Sequence, residues 1–191
     1  MVRHLIAVIA SLAAASAGMA ETTPGTTAMR RVEDAGLRYS VPETWQRVPA
    51  PSNMRAAQYR IDGPTKEPGD DAEVVLFFFG PGQGGTTEAN LDRWYAQFTQ
   101  PDGKSSREAA VVTVRTVNGL KVTSVDLSGT YTAMQMKPGA EAGPRPDTRM
   151  LAAAIEGPGG PWFLRIVGPT ATVGAEAADF HATLLSLEPH K

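Results

Sequence analysis

The 191-residue chain contains no cysteine. That excludes a disulfide framework, a thiolate zinc or iron–sulfur site and a cysteine nucleophile. It also excludes a bacterial lipoprotein, which needs a cysteine at its cleavage point to carry the lipid. Histidine is nearly as scarce: His4, His181 and His190 are the whole supply, too few to converge as a histidine zinc site. No Lys/Arg run exceeds the pair Arg30-Arg31, so nothing in the charge pattern points to a nucleic-acid surface. No apolar stretch reaches the roughly 20 residues that a membrane-spanning helix needs. Glycine and proline, in contrast, are plentiful at 19 and 15 residues. That is above average usage but below the level that marks disorder, and reads as the punctuation of a turn-rich fold.

The first residues read as an address. Met1-Val-Arg-His is a short basic start, Leu5 to Ala15 is apolar, and Gly18-Met19-Ala20 is a small-x-small exit before Glu21. These are the marks of a secretory signal over residues 1–20, so an exported protein, periplasmic or extracellular and not lipidated, is expected. Removing it takes away Arg3 and His4 and no acid. Of 18 basic residues 17 remain against 20 acidic ones, a charge of −3. Residues 21–34, rich in Thr, Pro and Ala and without periodicity, are expected to form a flexible leader.

The remainder, 35–188, reads as one α+β domain with a mainly antiparallel sheet of about seven strands and two main helices. Leu37-Arg-Tyr-Ser-Val41 alternates apolar and polar residues and is closed by Pro42; Arg55 to Ile61 and Glu73 to Phe79 are further strands. Val74 to Phe79 is apolar at every position, which predicts a central strand covered on both faces. Val111 to Val117 and Leu120 to Leu127 flank Asn118-Gly119, the strongest short-range hairpin signal because both turn positions favour φ > 0. Leu120 and Val122 share one parity, Val125 and Leu127 the other, which predicts a bulge near Thr123-Ser124. After a long Gly/Pro loop, Lys137 to Asp147, a second hairpin pairs Met150–Ile155 with Trp162–Val167. Helical spacing appears twice: Leu91, Trp94, Tyr95 and Phe98 behind possible caps Thr86 and Thr87, and Val173, Ala177, Phe180, Leu184 and Leu187 within Thr172–Ser186. Glu176 and Asp179 fall on the polar side of that second helix.

Gly80-Pro-Gly-Gln-Gly-Gly85 fits G-x-G-x-x-G between an apolar strand and a helix, the setting of a dinucleotide fingerprint. Such glycines bring backbone N–H groups to a pyrophosphate at a helix N-terminus. Pro81 removes one of those donors, and the acid expected about 20 residues on has only Asp102 near it, in the turn Pro101-Asp-Gly103. The chain beyond makes antiparallel hairpins, and soluble nicotinamide cofactors are mainly intracellular. The motif is therefore read as a strand-to-helix connection, and no cofactor is expected.

No G-x-S-x-G elbow or phosphate-loop sequence is present, and His181, beside the predicted buried stripe, has no positioned nucleophile. The acidic loop Glu67-Pro-Gly-Asp-Asp71 with Glu73 lacks calcium-loop spacing and reads as solvated. The residues that best fit an interaction site are Gly82, Gly84 and Gly85 in the loop, with Asn90, Arg93 and Gln97 forming a polar stripe at i, i+3 and i+7 on the helix that follows. Arg93 suits a carboxylate or phosphate through its forked donors.

Several segments together carry a resemblance: Val41-Pro42-Glu-Thr-Trp45; Arg55-Ala-Ala-Gln-Tyr59; the Gly-rich loop with Asn90-x-x-Arg93-Trp94-x-x-Gln97-Phe98; Gly129-Thr130-Tyr131; and Phe163-Leu-Arg-Ile-Val-Gly168-Pro169. Over nearly all of 36–188 the chain resembles secreted bacterial proteins of the PsbP/Mog-like superfamily. That superfamily includes an extrinsic photosystem II subunit and Ran-binding Mog proteins. The resemblance implies a central antiparallel sheet between helical layers and a non-enzymatic binding or assembly role, and it carries over no functional residue. Two functions follow as expectations. One is an exported binding or assembly module of unknown partner, which is no enzyme. The other is a small-ligand or nucleotide-binding protein, an enzyme included, using the Gly80–Gly85 loop.

Overall fold

The structure, a computed structural model, describes residues 27–132 and 143–190. The expected signal at 1–20, the first part of the expected leader and most of the Lys137–Asp147 loop lie outside the described residues.

The order of elements is β1 Met29–Asp34, β2 Leu37–Pro42, β3 Gln46–Arg47, β4 Arg55–Ile61, β5 Ala72–Phe78, α1 Thr87–Tyr95, β6 Phe98–Thr99, α2 Ser106–Ala109, β7 Val111–Val117, β8 Leu120–Tyr131, β9 Arg145–Glu156, β10 Trp162–Pro169, α3 Thr170–Ala175, α4 Ala177–Leu185 and β11 Glu188–Pro189. The main sheet runs β3-β4-β5-β10-β9-β8-β6, with β7 paired to another stretch of β8; β1-β2-β11 form a second, three-stranded sheet. The described pairings are antiparallel. The α+β class with a mainly antiparallel sheet is therefore correct, but eight strands in the main sheet and three in the second stand where about seven were expected.

The main sheet buries both faces. On one, Val74, Leu76, Leu164, Ile166, Leu151, Ile155 and Leu120 pack with the small sheet and with Val173, Phe180 and Leu184 of α3 and α4. On the other, Phe163, Val167, Ala152, Ala154 and Val125 pack under Leu91, Trp94 and Tyr95 of α1. Val74, Val75 and Leu76 are all buried, as the unbroken apolar run of β5 predicts for a strand between two layers. One covering layer is thus helical and the other is part sheet.

Several sequence expectations need correction. A flexible leader is expected over 21–34, yet 29–34 form β1, paired with β2 in register from Met29 opposite Pro42 to Asp34 opposite Leu37. Val32 is its single apolar contact with the core, so no alternation showed. What fastens β1 is Arg30, whose guanidinium donates to the carbonyls of Pro42, Glu43 and Trp45 at 3.2, 3.1 and 2.6 Å. The bulge near Thr123-Ser124 does not occur: β8 keeps register with β7 and β9 there, and shifts only between Gly129 and Tyr131. Its apolar parity changes because Leu120 and Val122 face the first core and Val125 and Leu127 the second.

The expected helix Thr172–Ser186 is two helices that meet at Glu176, with φ −90° and ψ 0°. Its apolar stripe is placed as expected, but Glu176 is no mere solvent residue, since its Oε2 accepts the Trp45 indole N–H at 2.8 Å. With α2, four helical segments stand where two main helices were expected. Phe98 leaves the first helical pattern for β6 and still packs in the α1 core.

Candidate functional site

The Gly80–Gly85 loop leaves β5 and enters α1, the position its sequence implies. Gly80, Gly82, Gly84 and Gly85 all take positive φ. The chain turns sharply, and two of its N–H groups are already bonded within the protein. Gly82 N donates to Gly160 O at 2.8 Å and Gln83 N to Gly80 O at 3.0 Å. A Cβ on Gly84 would lie 2.7 Å from Phe79 Cδ2 and 2.8 Å from Phe163 Cε2, so the glycine there serves aromatic packing. Thr86, the N-cap of α1, accepts from Ala89 N at 3.1 Å and occupies a donor that an anion would use. The shallow depression beside the loop, about 290 Å³, is lined by Gly82, Gly85, Thr86, Gly160 and Glu156. The Glu156 carboxylate is paired with Lys121 at 2.9 Å.

The stripe Asn90, Arg93 and Gln97 is not one surface. Asn90 is only 3% exposed. It donates to Gly84 O at 3.0 Å and Thr86 O at 2.9 Å, and accepts from Arg93 Nη1 at 2.8 Å. It is the clasp that fixes loop to helix. Arg93 is exposed, and Gln97 turns toward the sheet, where its Oε1 accepts from Arg165 Nη1 at 3.0 Å.

Residues that sequence reasoning missed complete this region. Beyond α1, the sheet face over β4 and β5 is roofed by long side chains rather than by a helix. Arg55 donates to Gln58 and Glu73, each at 3.0 Å, and Gln58 donates to Glu73 at 2.6 Å. The guanidinium carbons of Arg55 and Arg165 lie 5.5 and 5.6 Å from the centre of the same ring, Phe77, within the range of cation–π attraction. Phe79 stacks beside Phe77 and is itself exposed. Among the described residues Arg93 and Arg165 have amide partners but no carboxylate within ion-pair distance. The only sequence signal was the alternation that sets Arg165 between Leu164 and Ile166 of an otherwise apolar strand.

Other titratable groups lie away from this region. His190 Nδ1 lies 2.7 Å from Glu33 Oε1, and His181 lies on α4 beside Phe180. Asp70 binds Thr65 N and Oγ1 within its own loop at 2.9 and 2.8 Å. Among the described residues no group of three or more His, Asp or Glu is placed to hold a metal. A partly buried cluster joins the two sheets: Asp34 Oδ1 accepts from Arg47 Nη2 at 2.5 Å, and its Oδ2 from Tyr39 at 2.8 Å. Tyr59 lies 3.3 Å from the Tyr39 hydroxyl. Burial, then the neighbouring Tyr59, pushes the Tyr39 hydroxyl well above the usual tyrosine range; burial also raises Tyr59. These groups tie β1 and β2 to β3 and β4.

A mostly antiparallel sheet between an α-helical layer and a mixed layer is the PsbP-like fold that the sequence segments implied. The particular likeness is to the solution structure of cyanobacterial PsbP (CyanoP) from Synechocystis sp. PCC 6803. The TM-score is 0.52 at 13% sequence identity, over 87% of this chain and 95% of that chain. No family model and no curated protein matches the chain. At such low identity the likeness establishes the fold. No helix among the described residues is long and apolar enough to cross a membrane.

Proposed function

We propose that the protein is an exported, non-enzymatic binding or assembly module that receives an acidic segment of its partner on the α1 side of the sheet. The observation that carries this is the pair Arg93 and Arg165, two guanidiniums held by Asn90 and Gln97 with no carboxylate against them among the described residues. Arg165 is further oriented by the Phe77 ring, and Phe79 adds exposed apolar surface beside it. Oriented guanidinium forks next to aromatic carbon favour a carboxylate flanked by an apolar side chain.

The nucleotide reading of the Gly80–Gly85 loop draws less support. Two of its N–H groups are already bonded, Pro81 has none, and Glu156 lines the depression.

Crosslinking the exported protein in its own host, followed by mass spectrometry of the crosslinked peptides, tests the proposal. Crosslinks should map to one partner and to peptides around Arg55, Phe79, Arg93 and Arg165, and Arg93→Glu with Arg165→Glu should remove them. A thermal shift with NAD(P) or nucleotides that Gly82→Val abolishes would instead establish the loop as the site and overturn the proposal.

A further inference from the structure

Strand β7, Val-Val-Thr-Val-Arg-Thr-Val, is exposed at six of its seven positions. It pairs with β8 on one side, and no described strand pairs with its other side. Val111, Val112 and Val114 are 65, 43 and 59% exposed. Edge strands are ordinarily blunted by charged side chains, Pro, a bulge or shortness. Of these β7 has only the single charge of Arg115: its register with β8 is unbroken from Val111 opposite Asp126 to Val117 opposite Leu120.

The hairpin turn decides which backbone groups are free. Asn118 and Gly119, with φ +48° and +82°, form a two-residue turn, so Val117 and Leu120 are the hydrogen-bonded pair that closes it. Bonding alternates along an antiparallel pair. Val117, Arg115, Thr113 and Val111 therefore turn their N–H and C=O toward β8, and Thr116, Val114 and Val112 turn theirs outward.

We propose that β7 is a self-association edge, on which a second copy of this chain pairs its own β7 antiparallel about a two-fold axis at Val114. Only an antiparallel register centred on Val114 matches all three outward residues, Val112 with the partner's Thr116, Val114 with the partner's Val114 and Thr116 with the partner's Val112, and completes six backbone hydrogen bonds. Arg115 falls opposite the partner's Thr113, so no like charges stand directly opposed; the two Arg115 residues are diagonal neighbours, about 7–8 Å apart. The axis runs through the sheet, so both α4 helices stand on the same side. The groove that each copy leaves open between β7 and α4, about 190 Å³ and lined by Val111, Thr113, Phe180, Leu184 and Leu185 among others, then abuts its counterpart, and the exposed Leu185 of each copy becomes a wall of one trough. The shared edge is about 23 Å long and one strand deep, the size of a weak and reversible contact.

Sedimentation velocity of the full chain, from micromolar to millimolar concentration, tests this. The expected result is a reversible monomer–dimer equilibrium. Val114→Glu opposes two carboxylates on the axis and should weaken the dimer at least tenfold with no change in thermal midpoint, since the side chain is exposed. Arg115→Gln removes the diagonal repulsion and should tighten it severalfold. The chain has no cysteine, so a nitroxide on Val114→Cys reports this position alone, and the two labels should broaden each other's spectrum in the dimer. Three outcomes would overturn the proposal: a monomer at every concentration, a dimer indifferent to Val114→Glu, or a monomer whose β7 amides become protected by an unrelated extended peptide.

Discussion

The side-chain amide of Asn90 donates to the carbonyl of Gly84 at 3.0 Å, holding the glycine-rich loop onto the first turn of α1 from inside the protein. A residue that looked like part of a recognition face is a structural clasp. Asn90→Ala would leave the carbonyls of Gly84 and Thr86 without that partner and free Arg93. Losing a buried amide with three hydrogen bonds costs about 2–3 kcal/mol. Urea unfolding should show that loss, and hydrogen exchange should be fastest over residues 80–86.

The loop glycines are unequal. Gly84→Ala forces its methyl against Phe79, which is exposed and can move, and Phe163, which is in the core and cannot. Overpacking together with a positive φ predicts a loss of about 2–4 kcal/mol. A Cβ on Gly82 meets nothing within 4 Å, so Gly82→Ala should cost only the left-handed backbone term, about 1–2 kcal/mol. Equal unfolding midpoints for the two variants would contradict this packing.

Stability should fall in alkali. Tyr39 and Tyr59 are raised above the ordinary tyrosine value of 10.0, so the folded state keeps their protons where the unfolded chain releases them. Their contribution is complete below pH about 10 and is lost above it, by about 1.4 kcal/mol per pH unit for each tyrosine. Tyr39→Phe should cost about 1–2 kcal/mol at neutral pH and make the alkaline fall shallower. Urea midpoints measured from neutral to strongly alkaline pH check both parts.

Elements whose cause is local were legible. Arg55–Ile61 and Val111–Val117 have the expected bounds, because flanking turn chemistry, and in the second strand the β-branched residues, act within a few positions. The aliphatic stripe of the last helical region was placed correctly even though that region breaks at Glu176. β1 was not legible: a lone Val32 among charges carries no alternation, and its strand state depends on β2 and on three carbonyls that Arg30 reaches 12 to 15 residues away.

By itself, then, the sequence determined the α+β class, the hairpins, the apolar faces and a chemistry poor in thiol and imidazole. Only the tertiary structure decided where each polar group is used. The same glycine loop suits a phosphate cradle or a packed turn, and the choice fell to Gly160, Asn90 and Phe163, brought there by other strands and by α1. Arg165 is fixed in place because Gln97 and Phe77, at distances of 68 and 88 in the chain, meet it on one sheet face. Periodicity and turn preference are set by near neighbours; hydrogen-bond partners and desolvation are set only when the layers stack.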